Sequence, residues 1–252
     1  MKYLIILFLT SIILWGCATT VDTSLMTPSQ RLAYAGKLYN EKNYDEAVKE
    51  YQSILLQYPG STVIDSAQYY LGMSRYKHQE YILGAYEFSK LIRDMPSSKF
   101  MPDAQYMLAQ SYFMLSPYYA LDQKYTKKSI QEFQAFIDFF PTNPKVPDAE
   151  KKITELNDKL AQKEYNSAYI YDKLEDYRAA LMYYNFVIED YHETKYAPMA
   201  MYAKIKLLIQ KKRNTEALAE IGKFIDRYPN DSHIKDVKSL KSDLEENLSA
   251  AK

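Results

Sequence analysis

Few side chains in this chain of 252 residues could do chemistry of their own, and their spacing decides against most of it. The three histidines, His78, His192 and His233, stand far apart with no ligand-spaced Cys, Asp or Glu cluster around them, so no metal site is expected. Two carboxylate pairs, Glu175-Asp176 and Glu245-Glu246, have the right groups for general acid and base work. Their surroundings read as a turn and a polar helical face, where solvation accounts for them. Six Gly, no two closer than twelve residues, leave no phosphate-cradling loop and no dinucleotide fingerprint. Lys and Arg number 32 and Asp and Glu 32, so no net field draws the chain to nucleic acid. The expectation is a protein with no catalytic residues, no cofactor and no nucleic-acid partner.

One group does promise covalent chemistry. Cys17, the single cysteine, follows Met1-Lys2 and a nearly unbroken apolar run of twelve residues from Tyr3 to Leu14. That run is too short for a permanent transmembrane helix and has the length of a secretory signal core. Leu14-Trp15-Gly16-Cys17 resembles a lipobox, although Trp15 is bulkier than the pattern prefers. The implied product begins at Cys17, carries lipid there, and is held on a membrane by acyl chains worth about 0.8 kcal/mol per buried methylene. Residues 1–16 are then a cleaved lipoprotein signal peptide and residues 17–28 a lipidated linker. Ala18, where some bacterial sorting rules place Asp for retention in the inner membrane, favours the outer one. With no second Cys for a disulfide, the domain must hold together by packing.

The remaining chain is periodic. An aromatic or Met residue, then Pro, then a small apolar residue eight positions later recur as Tyr58-Pro59 with Ala67, Met95-Pro96 with Ala104, Phe140-Pro141 with Ala149, and Tyr228-Pro229 with Val237. Tyr191-His192 with Ala200 is the one copy that lacks the proline. The intervals are 37, 45, 51 and 37 residues, a unit of 37 lengthened twice. Within a unit the apolar spacing is helical: Leu32, Ala35, Leu38 and Tyr39 mark a first helix, Asn43-Tyr44-Asp45 a turn, and Ala47, Tyr51, Ile54 and Leu55 a second helix. Only six Val argue against a sheet. Small residues at Ala47, Gly84, Ser129, Ala180 and Ala217 mark close approach of the second helix to the first. The spacing predicts a late second helix in the third unit, after an insertion over 116–126. It also predicts a long first helix in the fourth, from about Asp148 to about Tyr171, and an amphipathic last helix over 233–248. The fold class is therefore all-α, five stacked helical hairpins and a C-terminal capping helix.

These features resemble the tetratricopeptide repeat (TPR), and with it a superhelical solenoid. In that pattern the first helix of each hairpin lines the inner side. One inner column then holds Leu32, Tyr69, Tyr106, Tyr165 and Tyr202, and another Tyr39, Tyr76, Phe113, Asp172 and Ile209. The 26 Tyr thus divide. Tyr44, Tyr81, Tyr177, Tyr51 and Tyr184 read as buried between helices, with Phe88 and Phe133. Tyr39, Tyr69, Tyr76, Tyr106 and Phe113 fit a peptide-binding groove and a core equally well. A Tyr-lined groove offers contact area at low entropic cost, so it suits an extended, partly aromatic ligand without strong charge.

The particular segments Tyr51-Gln-Ser-Ile-Leu-Leu-Gln-Tyr-Pro-Gly-Ser61, Leu121-Asp-Gln-Lys-Tyr-Thr126, Phe133-Gln-Ala-Phe-Ile137 and Asp158-Lys-Leu-Ala-Gln-Lys-Glu-Tyr165, with Tyr177-Arg-Ala-Ala180, resemble the BamD family. These are TPR lipoproteins of the outer-membrane β-barrel assembly (BAM) complex. The resemblance implies a non-enzymatic scaffold, lipid-anchored on the periplasmic face of the outer membrane. It implies that residues 29–140, units 1 to 3, receive unfolded outer-membrane protein precursors, whose ends are aromatic-rich. Residues 141–248, units 4 and 5 with the cap, would hold the periplasmic POTRA region of a BamA-like barrel protein, with Asp172, Lys173, Lys206 and Arg213 as contact candidates. Other BAM lipoproteins are further partners the family allows. A TPR lipoprotein for pilus secretin assembly or cell-envelope division, and an accessory subunit of an envelope enzyme, are the alternatives.

Overall fold

The computed structural model describes residues 22–250, so the signal segment, Cys17 and the first part of the linker lie outside the described residues. Eleven helices follow in order among the described residues: α1 (Pro28–Asn40), α2 (Tyr44–Gln57), α3 (Ile64–Lys77), α4 (Tyr81–Asp94), α5 (Met101–Leu115), α6 (Lys124–Phe139), α7 (Val146–Lys173), α8 (Tyr177–Asp190), α9 (Tyr196–Gln210), α10 (Asn214–Arg227) and α11 (Ile234–Ala250). Each packs chiefly on its neighbours in the chain, the arrangement of a solenoid of five hairpins closed by a last helix. The architecture is all-α and TPR-like.

Entry to the first helix is chemically defined. Thr27 and Gln30 form a reciprocal capping box, and Pro28 occupies the first helical position. Second helices end where the residue before Pro is forced out of the α region: Tyr58, Met95, Phe140 and Tyr228 all have φ between −127 and −135°. Tyr191 ends α8 in the same way at φ −125° although His192 follows it. There the Thr194 hydroxyl and amide both donate to the Tyr191 carbonyl, holding the corner without proline.

The repeat columns sort by depth. Ala67, Ala104, Ala149, Ala200 and Val237 are fully buried, as are Tyr51, Phe88, Phe133 and Tyr184 to within 1%. A fully buried side chain of this size contributes about 1.5–3 kcal/mol. The small column does what overpacking predicts. A Cβ on Gly84 would lie 3.3 Å from the Gly72 carbonyl oxygen and from the Tyr76 nitrogen, and Ala47, Ser129, Ala180 and Ala217 are buried. Tyr44, Tyr81 and Tyr177 differ from expectation. They are only half-buried, each being the first residue of its helix, next to the turn.

The boundaries also shift. The turn of unit 1 is Glu41 to Asn43, with Tyr44 and Asp45 already helical. Lys42 there has φ 62°, and the Asn43 amide donates to the Leu38 carbonyl, a Schellman ending. Gln79, Glu175 and Lys212 repeat that left-handed conformation at φ 64, 59 and 58°. None of the four is glycine, so each hairpin turn carries a left-handed cost of roughly 1–2 kcal/mol. Gln79→Gly removes it while adding about 0.5–1 kcal/mol of unfolded-state entropy. The expected result is a net gain of up to about 1 kcal/mol, read as a higher urea midpoint at unchanged m-value.

The insertion of unit 3 ends sooner than expected, since Tyr125 and Thr126 belong to α6. Its backbone is held by Gln123, whose amide donates to the carbonyls of Tyr118, Tyr119 and Leu121 at 2.9 to 3.1 Å. The long helix α7 grips it too: Lys159 donates to Ser116 Oγ at 2.8 Å and Lys163 to the Leu121 carbonyl at 2.7 Å. With 28 residues, α7 outruns the expected span at both ends, and the lysines that reach unit 3 lie in its middle.

A polar column crosses the hairpins. Arg31 donates to Glu50 at 2.6 Å, Gln68 to Glu87 at 2.7 Å and Gln105 to Glu132 at 2.8 Å, each pair joining equivalent positions of a first and a second helix. In unit 5 the donor column has Met201, and Lys204 takes over, 2.9 Å from Glu220. Each clamp satisfies a buried or half-buried carboxylate and fixes the register of its hairpin.

Candidate functional site

The candidate residues of units 1 to 3, a seam in the order of the chain, belong to three groups of contacting rings. Tyr39 meets Tyr44 and Tyr70 edge-on, both at 5.7 Å. Tyr69 stacks on Phe100 at 4.6 Å, and Tyr76 lies edge-on to Tyr81 at 5.3 Å. Tyr106 is edge-on to Phe133 and Phe136, and its hydroxyl donates to the Asp148 carboxylate. Phe113 contacts Phe133 at 6.5 Å. All five candidates are half-buried.

Burial pushes the hydroxyls of Tyr39, Tyr69, Tyr76 and Tyr106 upward in pKa, reinforced at Tyr69 by Asp103 and at Tyr106 by Asp148. They stay neutral donors through the physiological range. Ammonium groups approach the seam at Tyr106 and Phe113, where Lys145 and Lys152 lie 4.9 and 4.8 Å from the ring centres. Lys145 is itself paired with Asp103 at 2.7 Å, so the seam carries little net charge there.

In units 4 and 5 the same columns open into a cavity of about 550 Å³. Tyr165 and Tyr202 continue the first column, and Tyr169, Tyr184, Met199 and His233 complete the walls. Asp172, Lys173 and Lys206 stand on its rim. His233 stacks on Tyr202 at 4.3 Å, with Nδ1 2.9 Å from Asp231, while the Lys173 and Lys206 ammonium groups lie 5.3 and 5.5 Å from the Tyr169 and Tyr202 ring centres. Burial raises the Tyr165, Tyr184 and Tyr202 hydroxyls, Asp172 adding to this at Tyr184 and Asp236 at Tyr202.

Three of the four partner candidates therefore share one site. Arg213 does not join them: it sits exposed after α9, bonded to Glu216 at 2.6 Å, beside a separate cleft lined by Tyr177, Arg178, Met182 and Lys211. Met199 and His233 were not legible as cavity walls, because Met199 lies outside both inner columns and His233 comes from the loop before the cap. Among the described residues no cluster of His, Cys, Asp and Glu is arranged to hold a metal ion, and no helix is long and apolar enough to cross a membrane.

Stacked helical hairpins, each packed on its neighbours in the chain, define a TPR-like superhelical scaffold. Within that class the assignment is specific: the chain belongs to the YfiO family of outer membrane lipoproteins, which it matches over residues 26–212. It is 27% identical over 231 residues to the outer membrane protein assembly factor BamD of Rickettsia prowazekii (strain Madrid E), covering 91% of this chain and 92% of that one. Among solved structures, a thermophilic TPR protein of Thermus thermophilus is 17% identical, with 86% of this chain and 98% of that one covered and a TM-score of 0.37. The TPR2AB domain of yeast Sti1 in its Hsp90-peptide complex is 16% identical at a TM-score of 0.40, with the same coverage.

Proposed function

We propose that this chain is a non-catalytic scaffold of the outer-membrane β-barrel assembly complex, anchored through lipid at Cys17 on the periplasmic face. Units 1 to 3 receive unfolded barrel precursors along the seam of Tyr39, Tyr69, Tyr76, Tyr106 and Phe113. Units 4 and 5 hold the POTRA region of a BamA-like subunit, with Asp172, Lys173, Lys206 and Arg213 at the contact. The observation that carries this reading is the family match together with a relative called an assembly factor and aligned along nine tenths of both chains. The neutral, aromatic character of the seam supports a ligand of extended aromatic strands rather than one recruited by charge.

The deciding experiment is a pull-down of the full-length lipoprotein from outer membranes, combined with a photo-crosslinking residue at position 39 or 76. Co-purification of a POTRA-bearing barrel protein is expected, lost on deletion of residues 165–252, with crosslinks to barrel precursors from the seam. Recovery of a pilus secretin, a division protein or an envelope hydrolase in its place would assign the scaffold to another machine. Crosslinks from positions outside the seam only would remove the precursor site.

A further inference from the structure

The cavity of units 4 and 5 differs from the seam of units 1 to 3 in a way that selects a ligand. In the seam the rings pack on one another; here Tyr165 and Tyr202 also pack on rings, but with the exposed Tyr169 and Met199 they border about 550 Å³ of open volume. That is within the range of pockets that take a side chain or a small molecule. On the rim, Lys173 and Lys206 are exposed, and neither makes an ion pair among the described residues. Each ammonium leans over a tyrosine, which leaves its hydrogen-bond donors available to an anion. Asp172 stands on the rim, Asp236 is engaged with the Tyr202 hydroxyl, and His233 with Asp231.

We infer that this cavity is a docking site for an aromatic side chain followed directly by a carboxylate, carried on an extended segment of the partner that units 4 and 5 hold. The ring enters beside Tyr165, Tyr169 and Tyr202, where offset and edge-on contacts with several rings are available. The carboxylate lies on the rim between Lys173 and Lys206, where charge-assisted bonds form at the edge of a low-dielectric wall. Asp172 accepts a backbone N–H of the segment and disfavours a second acid beside the first. The two lysines give the cavity its sign, and the open volume gives it its size.

The inference rests on the reading that units 4 and 5 hold a protein partner, and the test separates the two. Blocked, dye-labelled peptides Gly-Phe-Glu-Gly, Gly-Phe-Gln-Gly, Gly-Ala-Glu-Gly and Gly-Phe-Lys-Gly are titrated against the full soluble chain by fluorescence anisotropy. The Phe-Glu peptide is expected to bind on the order of ten-fold more tightly than the Gln or Ala peptide, consistent with one charge-assisted contact or one buried ring. Lys206→Glu should reverse the preference toward the Phe-Lys peptide, a result that general loss of folding cannot produce. Ala203→Trp, which fills the cavity from its wall, should abolish binding while leaving the circular dichroism spectrum unchanged. Equal binding of all four peptides, or Phe-Glu binding that survives Ala203→Trp, overturns the inference. A barrel partner that still co-purifies through residues 165–252 while the peptides fail to discriminate overturns it too, and leaves the partner assignment standing.

Discussion

Gly72→Val is expected to destabilise the chain by about 3 kcal/mol, the upper part of the usual range for overpacking a closed core. The reason is local. A Cβ at Gly72 would lie 2.7 Å from Phe88 Cε1 and 2.9 Å from Cδ1, and Phe88 is fully buried with its ring against Tyr69 at 5.9 Å. The ring cannot swing outward without displacing Tyr69, which is itself stacked on Phe100. Gly72→Ala is a closer contest. Alanine adds the same Cβ contact, and about 1 kcal/mol of helix propensity offsets only part of it. It should therefore destabilise as well, by less than valine, which adds two further methyl groups. Equivalent first-helix positions carry Ala35, Ala109 and Ala168 opposite Tyr51, Phe133 and Tyr184, so the hairpin geometry can accept a methyl group when the ring sits slightly farther away. Phe88→Leu in the Gly72→Val background should recover part of the loss, although Phe88→Leu alone is destabilising. Chemical denaturation of the four proteins gives the coupling between the two sites, and a coupling near zero would mean that the valine is accommodated elsewhere.

The sequence carried this hairpin contact only in outline. Gly72 and Gly84 stand out in the first and second helices of unit 2, and the 37-residue register places Ala47, Ser129, Ala180 and Ala217 with Gly84. Side-chain volume repeats with the unit, so helix pairing is legible from it. Turn conformation is not. Lys42, Gln79, Glu175 and Lys212 adopt positive φ with no glycine to announce it, because the Schellman hydrogen bonds and the packing of both flanking helices outweigh the local preference of a single residue. Helix ends moved for a related reason. Tyr44 and Lys124 read as turn or insertion residues, yet the backbone can begin a helix as soon as the preceding residue supplies a carbonyl, and no apolar contact is needed to mark that point.

The candidate site shows the same division. The inner columns follow from periodicity, and Tyr165, Tyr202 and Asp172 take their places in it. Whether a ring in such a column packs or lines open space depends on what the next hairpin presents to it. Tyr69 meets Phe100 from the loop between units 2 and 3, whereas Tyr202 meets the smaller His233 from the loop before the cap. Phe100 and His233 occupy equivalent places after their units, so the exchange of an aromatic hydrocarbon for an imidazole was visible in the sequence. Its consequence for the cavity was not, since that depends on how the long α7 and the cap are set around it.

Glu220→Ala is expected to cost about 3 kcal/mol, the low end of the loss found when one member of a buried ion pair is removed. Glu220 is 8% exposed and lies between Lys204 at 2.9 Å and Lys223 at 2.8 Å. Burial alone would raise its pKa, but the hydrogen bonds and charges of the two ammonium groups outweigh it and hold the carboxyl below the ordinary glutamate value of 4.5. Lys204 sets the size of the effect, because its side chain is only 14% exposed and would be left without an anion, whereas Lys223 can turn to water. A double replacement, Lys204→Met with Glu220→Leu, removes both charges and should restore most of the stability, since an apolar pair avoids the desolvation that the ion pair must overcome. The pH dependence has a fixed sign. A carboxyl whose folded-state pKa is depressed adds its full contribution above the unfolded value and loses it as the pH falls through the folded value. The difference in urea midpoint between the parent and Glu220→Gln should therefore be largest above the ordinary glutamate value of 4.5 and shrink as the pH falls through the lower folded-state value. A difference that persists undiminished in acid would show that Glu220 acts through packing and neutral hydrogen bonds rather than through its charge.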